Sequence, residues 1–299
     1  MKKYTLLLIA ILFTLTTFAQ KDTTYWKRTG DFSLNFNQIS FNNWAAGGDN
    51  SISGVALFNY QADFDDGVHS WKNKAILGYG LQYLKDDYKK TEDKIDLSSM
   101  YGRKIAPKWD VSMLVFFKTQ FAEGFDGDND SVSVSQFMAP AYVGIGPGFN
   151  YKPVDYFSVF MSPATAQWVI VNNQRLADEG AFGVTKAEYD TEGMKTKDGE
   201  KVKFQFGANV KISFKKDIAK NVNLETTLEL FSDYLNNPQN IIINWDLILD
   251  MKINSFLSAK ITTNLIYDDN IIINDKHGNP LGPRTQFKEM FGLGLAVKF

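Results

Sequence analysis

Imidazole and thiol chemistry have few places to sit in this chain of 299 residues, which carries two histidines and no cysteine. His277 lies among Asp268, Asp269 and Asp275, the ring base and orienting carboxylates that a hydrolase would use. No serine is placed by spacing to be its nucleophile. His69 stands beside Asp65 and Asp66 in a short Asp-Asp-Gly segment and reads as a solvated turn residue. The run Asp126-Gly127-Asp128-Asn129-Asp130-Ser131 sets three carboxylates at alternate positions, like the start of a calcium loop. The match then stops, because Ser131 stands where such a loop needs Gly and Phe137 where it needs a bidentate Glu. Asp126, Asp128 and Asp130 are thus weak candidates for an outside cation, beside the plainer reading of a solvated turn. No metal centre and no cofactor is expected.

Charges at a spacing of two are the more informative set. Glu225, Glu229, Asp246 and Asp250 fall on one stripe of two alternating segments. Lys211, Lys252, Lys260 and Lys288 fall on the corresponding stripe of four. Groups of opposite sign on neighbouring strands facing one interior should pair, since an unpaired interior charge is costly to desolvate. Elsewhere the same stripe carries Leu114, Phe116, Phe160 and the glycines 144, 146 and 148. That predicts an apolar side to the interior, suited either to simple packing or to a hydrophobic ligand or plug.

The elements that would position these residues follow from a period of two, the strand signal. Twelve windows show it: 32–36, 52–64, 71–83, 95–101, 109–121, 141–151, 157–169, 204–214, 222–230, 243–253, 257–267 and 287–299. Of their 71 outward positions only Glu289 is charged, against 15 of the 59 intervening ones. Hydrocarbon demands such a contrast, because Lys or Arg at the midplane of a membrane barrel costs about 2–4 kcal/mol. The gaps between windows run 15, 6, 11, 7, 19, 5, 34, 7, 12, 3 and 19 residues. Long and short connections therefore alternate, as the outer loops and inner turns of up-and-down barrels do. Trp71, Trp109, Tyr151, Phe157 and Phe299 fall at the short-turn end and Tyr83, Phe121, Trp245 and Tyr267 near the other, as two interfacial girdles would. The predicted fold is all-β: a 12-stranded antiparallel up-and-down transmembrane β-barrel. Ten or fourteen strands are the alternatives, chiefly because of the 34-residue gap. A slip of phase after Phe36, towards Ile39 and Phe41, predicts a bulge in the first strand.

Composition bounds the rest. Net charge is −2 and the sequence pI about 5.8, so no basic field exists to collect nucleic acid. Mean hydropathy of −0.24 and a single long apolar run exclude a bundle of membrane helices. That run, Leu6 to Phe13 after Lys2 and Lys3, reads as a cleaved signal peptide over 1–20. Residues 21–30 are then a periplasmic N-terminal segment and 31–299 the barrel domain.

The stretch from about residue 30 to Lys298-Phe299 resembles the outer-membrane β-barrels of Gram-negative bacteria. The resemblance implies that the terminal Phe299 is read by the barrel-assembly machinery. Phe41-Asn42-Asn43-Trp44-Ala45-Ala46-Gly47-Gly48 resembles the N-terminal Trp-x-x-Gly-Gly signature of an uncharacterised barrel family of Bacteroidetes. It implies a location in the bacterial outer membrane, with lipid as neighbour, and brings no activity. Trp44 with Gly47 and Gly48 would anchor the first loop at the rim or in the barrel mouth. The expected role is a narrow or plugged conduit or binding barrel for a small solute, an apolar one included, or a structural envelope component. No residue requires reaction chemistry, so a non-enzyme is expected. The alternatives are an outer-membrane hydrolase built on the His277 loop and a secreted soluble lipid-binding β-protein.

Overall fold

The computed structural model describes residues 24–39, 51–84, 87–126, 129–274 and 280–299. Trp44, Gly47, Gly48, Asp128 and His277 lie outside the described residues, as do the side chains of Asp126 and Asp130.

Twelve strands carry the chain: β1 (Trp26–Ile39), β2 (Ser51–Asp65), β3 (His69–Leu84), β4 (Asp87–Ala106), β5 (Trp109–Thr119), β6 (Ala141–Val154), β7 (Phe157–Ile170), β8 (Val202–Ala219), β9 (Val222–Asp233), β10 (Ile241–Lys252), β11 (Leu257–Tyr267) and β12 (Gln286–Lys298). Each pairs antiparallel with its sequence neighbours, and β1 pairs with β12, so the sheet closes into a barrel with no edge. Every expected window falls on one of these strands. Among the described residues no helix is long and apolar enough to cross a membrane; a barrel crosses with strands, whose backbone groups are satisfied by the closed ladder.

Alternation sorts the side chains as hydrocarbon outside and a packed interior require. On β5, Val111, Met113 and Val115 are exposed while Asp110, Ser112, Leu114 and Phe116 are buried. On β12, Phe291, Leu293, Leu295 and Val297 face out and Gly292 and Gly294 face in. Rings gather at both ends. At the short-turn end Trp26 meets Trp71 at 5.8 Å and Trp109 meets Tyr151 at 4.7 Å. At the long-loop end Tyr83 meets Tyr88 at 4.9 Å, Tyr79 meets Phe121 at 6.4 Å, and Phe206 meets Tyr234 at 6.2 Å.

Three expectations are corrected. β1 keeps register with β2 from Trp26 through Ile39, without the bulge predicted after Phe36. β4 starts at Asp87, so only residues 85–86 separate it from β3, and the third connection is short rather than long. The segment 87–94 is charged on both stripes, yet its ladder with β3 continues as a hairpin beyond the apolar band. In β7 the phase slips within 162–165, where one extra residue faces β6 and β8. Phe160 and Ser162 point in before the slip, Thr165 and Val169 after it, and Trp168 stacks on outward Phe204 at 5.4 Å.

Beyond the barrel, the connection 171–201 builds its own small core. Helix α1 (Gln174–Asp178), capped by the Asn173 side chain on the Leu176 N–H, packs Leu176 and Ala177 against Ala139, Val171 and Val184. Asp178 accepts hydrogen bonds from Lys195 Nζ at 2.8 Å, Gln174 Nε2 at 2.7 Å and the Gly199 N–H at 2.8 Å. These donors, Lys195 foremost, hold its carboxyl down at about 2.

Candidate functional site

The barrel interior is where inward chemistry collects. Lys74 of β3 pairs with Glu225 of β9, and Lys94 of β4 lies 3.4 Å from Asp246 of β10. In each pair the two strands are six apart in a ring of twelve, so they stand on opposite walls. Lys118 of β5 reaches Glu229 of β9 at 2.8 Å, and Asn209 Nδ2 donates to the same carboxylate at 3.1 Å. Lys215 adds a second cation to Glu225 at 3.0 Å. Asn264 Nδ2 donates to Asp246 at 3.0 Å.

These contacts fix the shape of the cross-section. Strands spaced about 4.8 Å and tilted about 40° give a circular twelve-strand barrel on the order of 22 Å across. Fully extended Lys and Glu side chains in contact span about 14 Å between their Cα atoms. Direct pairing therefore draws β3 and β4 towards β9 and β10, and the barrel is oval.

The acids expected on β9 and β10 are thus paired, but mostly not with the lysines expected for them. Glu229 and Asp246 take Lys118 and Lys94 from across the lumen rather than cations on adjacent strands, and Glu225 takes Lys74 from across it as well as Lys215 from adjacent β8. Asp250 pairs with Lys298 at 2.8 Å. Lys260, opposite Asp250 on the ladder, turns to Asp31 of β1 at 3.5 Å. Lys288 binds Glu92 of β4 at 2.8 Å. Lys211 sits beside Glu229 on the ladder, and Lys252 ends β10; neither makes an ion pair among the described residues. Lys74, Lys94 and Lys118 escaped the sequence reading of this lattice, although the same parity that marked Glu225 marks all three as inward.

The apolar side also forms, as packing. Leu114, Phe116 and Phe160 are 3%, 4% and 1% exposed and gather with Met100 and Tyr142. Phe116 faces Gly144 on the β5–β6 ladder and fills the space that a side chain there would take. Gly144 and Gly146 are therefore seats for neighbouring side chains, and Gly148 lies against the backbone of Met161, so none is open floor. At the short-turn end Lys152 bridges Asp110 at 2.6 Å and Ser70 Oγ at 3.4 Å.

On the other side of the lumen the packing is incomplete. A cavity of about 270 Å³ lies between β1, β2, β3, β4, β11 and β12, lined by Asn35, Ser53, Gln82, Thr91, Lys260 and Lys288 among others.

His69 is a turn residue. Its Nδ1 lies 3.1 Å from Asp66 Oδ2, and Asp66 Oδ1 accepts the Val68 and His69 N–H groups at 2.9 and 2.6 Å. Those backbone donors hold the Asp66 carboxyl down at about 2. Among the described residues no three His, Asp or Glu side chains converge on a possible metal position.

Residues 36–125 match a family described as a protein of unknown function, DUF3078. No curated protein matches the chain. Among solved structures, the chain is similar to an outer membrane channel from Pseudomonas putida F1, at 8% identity over 95% of this chain and 98% of that one, with a TM-score of 0.39. It is similar to the FrpB iron transporter from Neisseria meningitidis at 9% identity over 94% and 53%, with a TM-score of 0.38. It is also similar to outer membrane phospholipase A from Escherichia coli, at 11% identity over 96% of each chain and a TM-score of 0.33. The barrel described above rests on this chain's own strand pairing.

Proposed function

We propose that this protein is a bacterial outer-membrane barrel that keeps its lumen closed by ion pairs and serves as a narrow, gated conduit or binding barrel for a small solute. The membrane setting is supported by a closed sheet whose outer stripe is apolar all round, with rings gathered at both ends. The leader over 1–20 and reading of Phe299 by the assembly machinery belong to the same proposal, as does contact with outer-membrane lipid. It includes no catalysis.

The observation that carries the closed lumen is the triple crossing of Lys74, Lys94 and Lys118 to Glu225, Asp246 and Glu229. A buried ion pair that loses one partner leaves an uncompensated charge, a loss of about 3–5 kcal/mol. The crossings are therefore stable latches that part only when both ends find other partners or water.

Planar-bilayer recording tests this reading. Wild-type barrels should conduct little at low salt and open more often at about 1 M salt, where screening reaches about 3 Å. Charge-neutral Lys94→Met/Asp246→Leu barrels should conduct several times more. A steady wide-pore conductance in the wild type would end the closed-conduit reading. A chain that stayed monomeric in buffer without detergent would end the membrane reading itself.

A further inference from the structure

The cavity beside the latches is bounded by two inward ion pairs, Lys260 with Asp31 and Lys288 with Glu92. Both lysines are spent in these pairs and the Glu289 carboxylate also lines the space, so no free cation among the described residues is offered there to an anionic solute. Asn35, Asn37, Gln82, Ser53, Thr91 and Thr262 add amides and hydroxyls to the polar wall. Val55 and Leu57 add apolar surface.

Its wall is closely packed. Gly80 and Gly292 face inward where side chains would collide, with Val55 Cγ2 at 2.8 Å and Asn35 Cβ at 2.9 Å respectively. A bulge in β4, opposite the step from Gly80 to Leu81, turns both Thr91 and Glu92 inward, the kind of local re-aiming bulges provide. Asn35 is 7% exposed, and its Oδ1 has no partner in the protein; nor has Thr91 Oγ1. Buried polar atoms are almost always satisfied, and the terminal amide torsion of Asn turns easily. At about 270 Å³ the space far exceeds the roughly 10–15 Å³ that one water needs.

We infer that this cavity is a binding site for an uncharged polyhydroxylated solute of about monosaccharide size. Amides offer both donor and acceptor to a hydroxyl, and each lysine retains N–H donors beyond the one spent on its carboxylate. Val55 and Leu57 would meet the C–H face of a ring. The inference deepens the proposed function by naming the solute class, and it rests on that reading of the lumen.

Saturation-transfer NMR of the full chain in LDAO micelles tests it, with methyl α-D-glucopyranoside and D-glucuronate as probes. The glucoside should receive saturation from the wild type. Its dissociation constant should rise about fivefold in Asn35→Leu and in Gln82→Leu, one hydrogen bond's worth each. Gln82 is only half-buried, so that variant keeps the test alive if Asn35→Leu does not fold. No transfer in the wild type, or equal binding by both variants, overturns the site; a preference for glucuronate overturns the uncharged class. Closed-state recordings in bilayers with no glucoside transfer would remove this inference alone. Wide-pore recordings with variant-sensitive glucoside binding would remove the closed conduit and leave the site.

Discussion

The ring of Phe299 lies over Gly30, where a Cβ would come 2.5 Å from its Cε2, and the two residues exchange backbone hydrogen bonds of 2.7 and 2.9 Å. This contact closes the barrel at the seam of β1 and β12. The ring is 61% exposed on the outer face, with Phe58 6.5 Å away. A methyl at residue 30 would displace the ring without straining the backbone. We expect Gly30→Ala and Phe299→Ala each to cost about 1 kcal/mol, and the double variant little more than either. Urea unfolding in micelles followed by tryptophan fluorescence reads this out, and full additivity would show that ring and glycine are independent.

Lys118 and Glu229 illustrate how the latches carry stability. The carboxylate is held by Lys118 at 2.8 Å and by Asn209 at 3.1 Å. Lys118→Met should destabilise by about 3 kcal/mol, the low end for a buried pair, because Glu229 then keeps its charge in the lumen with the Asn209 amide bonded to it and Lys211 only alongside. Adding Glu229→Gln should recover most of that loss. The same unfolding assay decides; if the double variant is as weak as the single, the cost lies in packing of the lysine stem and not in charge.

Gly144 differs from Gly30 in what its neighbour can do. Phe116, which fills its side-chain space, is hemmed in by Leu114, Phe160, Met100 and Tyr142 and cannot swing away. Gly144→Ala should therefore cost about 1–3 kcal/mol by overpacking, and Phe116→Leu in the same chain should relieve it. A neutral Gly144→Ala would mean that the cluster has slack.

Strand positions were readable because hydrocarbon imposes one rule on outward side chains, which among the 71 outward positions of the twelve windows Glu289 alone breaks. Where that rule lapses, so did legibility. Residues 87–94 carry charge on both stripes, and the ladder they form could not be told from a loop. One extra residue near Pro163 reversed the parity of β7 beyond it. Parity also marks Lys74 and Lys94 as inward without saying which wall they touch; that depends on the oval cross-section, a property of the whole ring. Asn35 and Gln82 look like any other inward amide until ring closure and the bulge at Thr91 gather them with Lys260 and Lys288 around one cavity.

The outer connection offers a pH test separate from the barrel. Asp178 is held at about 2, against an ordinary 3.8, by Lys195, Gln174 and the Gly199 N–H; Lys195 is in turn raised above its usual range, chiefly by Asp178. A carboxyl with a lowered folded value contributes stability above its unfolded value and loses it as pH falls through the folded one. The arrangement of α1 against Gly199 should be undiminished from neutral pH to about 4 and weaken between about 4 and 2. Exchange protection of the Gly199 amide, corrected for the intrinsic rate at each pH, is the direct measure, since that N–H donates to Asp178 at 2.8 Å. Asp178→Asn should lower the protection at neutral pH and flatten the profile. Gly199 also sits too close to the backbone of Ala177 to admit a side chain, so Gly199→Ala should lower protection at every pH and leave its midpoint near that of the wild type. Wild-type protection that held unchanged down to pH 2 would mean that packing of Leu176 and Ala177, and not the carboxylate, fixes this turn.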